Sequence, residues 1–142
     1  MMRFFLMLIV AGSVVFGGDI KWEKDYATAL KESKKLGKPV MFIISNHMCR
    51  YCVQLESTTL KDPKIVKKLN DEYVSAIVYM DEKPLFPRDL YVGGTPATWF
   101  IKEDGEPLFE PLMGAIDATN FSKALDIVSK EYKKQKNKRE KI

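Results

Sequence analysis

Apolar residues recur at Trp22, Tyr26, Ala29, Leu30 and Leu36, with the small Ser33 between them, before Gly37 interrupts the series. That spacing predicts an amphipathic helix over Trp22 to Leu36. Pro39 then opens the run Val40-Met41-Phe42-Ile43-Ile44, too short for a helix between breakers and apolar on both faces, as a central strand would be. It ends at Ser45-Asn46. Cys49 to Leu60 reads as helical through Cys52, Leu55, Glu56 and Leu60, and Pro63 to Leu69 as a second short helix with proline in its first turn. Tyr73 to Met80, rich in β-branched and aromatic residues, predicts the next strand.

Between Asp81 and Gly94, Pro84, Pro87 and a Gly-Gly pair predict an irregular connection with one helical turn near Arg88 to Tyr91. Ala97 to Lys102 reads as a strand, Glu103-Asp104-Gly105-Glu106 as a hairpin turn, and Pro107 to Leu112 as an antiparallel edge strand. Asp117 is placed to cap a last helix with a buried stripe of Phe121, Ala124, Leu125, Val128 and Tyr132. The order α-β-α-β-β-α implies an α/β domain whose mixed central sheet is covered by helices on both faces.

Length and charge narrow the picture. With 142 residues, 46% of them hydrophobic, the chain suits one domain with one buried core. The net charge of +4 is concentrated in residues 130–142, which carry seven Lys or Arg against two Glu, so the rest is slightly acidic. A terminal tag of that kind is not a nucleic-acid-binding face, and residues 133–142 are expected as a basic tail that runs on as a frayed helix or as disorder. Residues 1–18 combine Arg3, the apolar run Phe4 to Val15 and the small Gly17 and Gly18, the parts of a secretory signal peptide. The run is shorter than the ~20 residues of a membrane-spanning helix. The expected setting is therefore periplasmic or secreted, where dithiols can be oxidised.

The chemistry sits in Cys49-Arg50-Tyr51-Cys52, which follows a buried strand and starts a helix. The helix end offers unpaired N–H groups and a positive dipole to Cys49 and so stabilises its thiolate. Cys49 is then the attacking sulfur, and Cys52, one turn deeper, resolves the mixed disulfide. Arg50 and His47 would add positive charge near Cys49, with Tyr51 inside the motif. Two cysteines and one histidine cannot complete a four-ligand structural zinc site, and Val53 in place of histidine rules out c-type haem attachment. Two alternatives stay open. His47, Cys49 and Cys52, with Met48, are soft ligands suited to a copper(I) chaperone, and the disulfide of a non-catalytic binding protein would never turn over.

Trp22, Gly37-Lys38-Pro39, Cys49 and Cys52, Leu55-Glu56, Asp62-Pro63, Leu69-Asn70, Tyr73-Val74 and Asp81 together resemble the exported branch of the thioredoxin superfamily, over residues 20–132. Gly94-Thr95-Pro96 falls where that superfamily keeps a cis-proline loop facing the cysteines. The resemblance implies a thioredoxin fold over residues 19–132 and a groove shaped by Thr95 and Pro96, in which a partner's extended backbone pairs with the loop. It implies no cofactor beyond a redox-active Cys49–Cys52 disulfide, a monomer, exported protein thiols and disulfides as substrates, and a membrane-bound electron donor or acceptor. Two positions depart from it: the buried acid six residues before the first cysteine is Ile43, and its lysine partner is Ile77. Glu56, one turn beyond Cys52, is the nearby group left to take its proton, unless it is a solvated helix residue.

Overall fold

A computed structural model describes residues 18–142, so the signal peptide expected over residues 1–18 lies, Gly18 apart, outside the described residues. The chain runs β1 (Trp22–Glu23), α1 (Tyr26–Leu36), β2 (Val40–Ser45), α2 (Arg50–Ser57), α3 (Pro63–Glu72), β3 (Val74–Tyr79), β4 (Ala97–Ile101), β5 (Leu112–Met113) and α4 (Ala118–Glu140). The strands form one sheet in the order β1-β3-β2-β4-β5. β1, β3 and β2 are parallel, whereas β4 runs antiparallel to β2, and β5 to β4.

β2 is buried at all six positions, and its alternate side chains serve different layers. Met41 and Ile43 join Leu55 of α2, Leu69 of α3, and Phe121 and Leu125 of α4 on one face. Val40, Phe42 and Ile44 join Tyr26 and Ala29 of α1, with Trp99 of β4, on the other. The α/β mixed sheet with helices on both faces is thus present as expected.

Local chemistry sets the element ends. The Asp25 side chain accepts a hydrogen bond from the Thr28 N–H (2.7 Å), so α1 begins at Tyr26. The helix predicted from Trp22 is shorter for that reason, and Trp22 lies instead in β1, paired with Ser75. Gly37 closes α1 at φ +64°, and a Cβ there would meet the Lys136 ammonium at 2.7 Å. Asp62 caps α3 ahead of Pro63, and Asp117 caps α4. The expected helix over Cys49 to Leu60 resolves into α2 and a 3₁₀ turn at Thr59–Lys61.

One further expectation is corrected. The strand predicted over Pro107 to Leu112 is reduced to a single bridge, Ile101 to Pro107, and the two residues of β5. Pro107 and Pro111 lack the N–H donors a continuous ladder needs. Of the two readings of the basic tail, helix or disorder, the helix is the one present, since α4 continues to Glu140. It is fastened to the hairpin turn, where the Glu103 carboxylate accepts from the Tyr132 hydroxyl (2.9 Å) and pairs with Arg139 (2.9 Å). Ala124, expected in the buried stripe, is half-buried.

Candidate functional site

The antiparallel pairing of β2 and β4 brings the C-terminal end of one strand beside the start of the other, Ile44 opposite Ala97. The loop after β2 carries Cys49, and the loop before β4 carries Thr95 and Pro96. The Thr95–Pro96 peptide bond is cis, Pro96 is buried and Thr95 half-buried. Cys49 Sγ lies 3.4 Å from the Thr95 carbonyl oxygen, to which the thiol donates. Two segments 46 residues apart in sequence thus meet at the sulfur.

Cys49 is the N-cap of α2, and its sulfur accepts the Cys52 N–H at 3.3 Å. Burial pushes its pKa up, but hydrogen bonds from the Cys52 and Thr95 side chains and from the N–H groups of Cys52 and Tyr51 outweigh it and hold the thiol below its ordinary value. Cys52 is fully buried. Its thiol is pushed up, first by burial and then by the hydrogen bond it gives Cys49. Both thiols are free. The asymmetry is that of a pair whose outer member ionises first.

The positively charged neighbours are directed elsewhere. The Arg50 guanidinium lies over the Tyr51 ring, 5.5 Å from its centroid, and Tyr51 is half exposed. His47 points to the end of β3: its Nδ1 is 2.8 Å from Asp81 Oδ2, and its ring stacks on Tyr79 with centroids 3.8 Å apart. The hydrogen bonds that favour the Cys49 thiolate come from neither residue. Asp81 is the first cause of a rise in the His47 pKa, and in return it is itself held low. Met48 is almost fully exposed. Among the described residues, no group of three or more His, Cys, Asp or Glu side chains is arranged to hold a metal ion.

Glu56 is half-buried and doubly engaged. Its Oε2 accepts from the Ser45 hydroxyl (2.9 Å), and its Oε1 from the Tyr79 hydroxyl. It is therefore no freely solvated helix residue. Ile43 and Ile77 lie opposite one another in the β2–β3 register, so hydrocarbon fills the place of an acid and a lysine. Ser45 and Tyr79 are site residues that the sequence pattern did not reveal. The one signal for Ser45 was a hydroxyl at the end of an otherwise apolar strand.

The fold and the paired thiols support assignment to the thiol–disulfide oxidoreductases. The family model for a thioredoxin-like domain matches residues 26–129, and the chain belongs to that family. A solution structure of a thioredoxin from Thermus thermophilus is similar at 28% identity, with TM-score 0.66 over 78% of this chain and 88% of that one. The structure titled DsbH Oxidoreductase gives 20% identity and TM-score 0.63 over 86% of this chain and 93% of that one. The oxidised C-terminal domain of DsbD from Neisseria meningitidis gives 20% and 0.56, over 70% and 89%. These last two similarities show the shared thioredoxin fold. No curated protein matches the chain in sequence.

Proposed function

We propose that the protein is an exported thiol–disulfide oxidoreductase that exchanges disulfides with exported proteins through Cys49. The observation that carries this reading is the half-buried Cys49 capping the start of α2, its thiol held low in pKa beside a fully buried partner thiol held high. The Cys49 thiolate attacks one sulfur of a partner disulfide, and the other sulfur leaves as a thiolate. Cys52 then displaces the partner from Cys49, forming the Cys49–Cys52 disulfide and leaving the partner reduced by two electrons. The reverse sequence oxidises a partner dithiol.

Thr95 and Pro96 line the groove for the partner's backbone. The electrons stay on sulfur throughout, so the dithiol itself serves in place of a cofactor. A membrane-bound donor or acceptor resets it in a periplasmic or extracellular setting. The neighbours whose titles name DsbH and DsbD support disulfide exchange as the class of chemistry, and among the described residues no helix is long and apolar enough to cross a membrane.

The test is covalent trapping. Cys52→Ser leaves Cys49 able to attack but its adduct unresolved, so partners accumulate as reductant-sensitive conjugates, whereas Cys49→Ser traps none. Equal trapping by both variants, or by neither, overturns the roles.

A further inference from the structure

The outer face of α4 carries a pattern for which the core has no use. Lys123, Ile127, Lys130, Lys134, Lys138 and Lys141 follow one another at intervals of three and four residues, and all six are exposed. At 3.6 residues per turn they fall within about 80° of the helix circumference and extend along about 27 Å of its axis. No acid of α4 lies inside that arc. Asp126 at one border is paired with Lys68 (2.7 Å), Glu131 at the other stands 3.8 Å from Lys134, and Glu140 lines the pocket on the side of Gly37. We propose that this lysine stripe is a docking surface for an anionic membrane, with the headgroups of acidic phospholipids as its ligand.

The stripe is unspent. Lys123, Lys130, Lys138 and Lys141 form no ion pair among the described residues, whereas the neighbouring Lys133 and Arg139 are engaged with Glu72 (3.9 Å) and Glu103 (2.9 Å). Those two pairs hold the last turns to the body of the molecule, so the free charges stand in a fixed row rather than on a loose tail. The charge is also segregated. Residues 130–142 hold seven Lys or Arg against two Glu in a chain of net charge +4, so the remainder is slightly acidic and an anionic plane attracts this face in particular.

The residue types select a lipid surface. Lysine places a compact, hydrated charge on a flexible stem, which suits a diffuse layer of headgroups. Arg139, whose guanidinium fits bidentate recognition, is turned away to Glu103. Residues 133–142 contain no aromatic side chain on which bases could stack, which argues against single-stranded nucleic acid. The apolar side of α4 is already buried through Phe121, Leu125, Val128 and Tyr132, so the helix has no face left to insert as an amphipathic helix does. Contact is therefore peripheral and electrostatic, with Ile127, 60% exposed, as the one large apolar side chain in the row. No stripe residue belongs to the site of Cys49, Cys52, Thr95 and Pro96, so docking and disulfide exchange are separable.

The experiment sediments the full-length protein with vesicles of phosphatidylglycerol or of phosphatidylcholine over a range of salt. Binding is expected to the anionic vesicles and should fall away towards about 0.5 M salt, where charges are screened beyond a few Å. The neutral vesicles report whatever the apolar run Phe4 to Val15 contributes, equally in every variant. Each lysine near an anionic surface is worth about a fivefold gain in partitioning, so Lys130→Gln, Lys134→Gln and Lys138→Gln together should weaken binding by roughly 100-fold. Glutamine keeps the helix propensity of lysine, and unchanged circular dichroism and an unchanged rate of reaction with the chromogenic disulfide dithiobis-nitrobenzoate verify the fold and the site. The control is Lys31→Gln, Lys34→Gln and Lys35→Gln on α1, which packs on the other face of the sheet. It removes the same charge and should weaken binding by no more than about fivefold. Equal loss in the two triple variants, binding that ignores vesicle charge or salt, or tighter binding to duplex DNA than to anionic vesicles at the same salt overturns the docking surface.

Discussion

Cys49 caps α2 with its own sulfur, so the group that reacts also satisfies a free N–H of the helix end. Its thiolate is expected to titrate below the ~8.5 of an unperturbed thiol, and the Cys52 thiol above it. The check is far-ultraviolet thiolate absorbance against pH for wild type and Cys52→Ser. Because the folded value is lowered, the thiolate's contribution to the stability of the reduced protein is present above the unfolded pKa and lost as pH falls through the folded one. His47 behaves in the opposite sense. Its hydrogen bond to Asp81 raises its pKa, so its contribution is present below the unfolded value and lost as pH rises through the folded one. Imidazole titration by NMR should give a midpoint above the ordinary value of 6.5, falling back in Asp81→Asn, while the Cys49 midpoint stays in place. The two cysteines were legible because their spacing and position ahead of a helix are local facts. The partners of Glu56 were not: Ser45 and Tyr79 lie 11 and 23 residues away in sequence, joined only by the sheet.

Among the elements, α4 departs most from its sequence pattern. Charge density alone argues for fraying beyond Tyr132, but Glu103 in the hairpin turn holds both Tyr132 and Arg139. Burial pushes the Glu103 carboxyl up, yet the Glu103 backbone, Tyr132 and Arg139 together hold it below its ordinary value, so the attachment is lost as pH falls through that value. Glu103→Gln should speed hydrogen exchange at amides 133–140, because it removes the anion that pairs with Arg139 and fastens the end of α4 to the hairpin turn. Local signals predicted the other boundaries unevenly. Periodicity carried the helix of Tyr26–Leu36 one turn too far towards Trp22, since a cap at Asp25 and a pairing to Ser75 obey no local period. The prolines at 107 and 111 were legible as edge markers, and the structure shows that they remove most of the strand.

On the scale of the whole molecule, β2 links the two layers of side chains. Phe42 meets Tyr26 edge-on at 4.9 Å and Phe86 at 5.8 Å between ring centroids, and it is fully buried. Phe42→Ala should cost about 3–5 kcal/mol in urea unfolding, a large share of the ~5–15 kcal/mol that holds a domain of this kind together. The thioredoxin fold was implied by resemblance and the α/β class by the alternation of elements. The meeting of β2 with β4 depended on pairing across the connection at 81–94. Leu85 in that connection is 88% exposed, and neither half of the chain on its two sides owns the reactive centre: one brings the sulfurs, the other Thr95 and Pro96. A single engineered protease cut beside Leu85 should therefore yield two pieces that stay associated through the five β2–β4 residue pairs and retain disulfide exchange. Denaturant would silence both pieces together, and mixing them again would restore the centre from components that are inert apart.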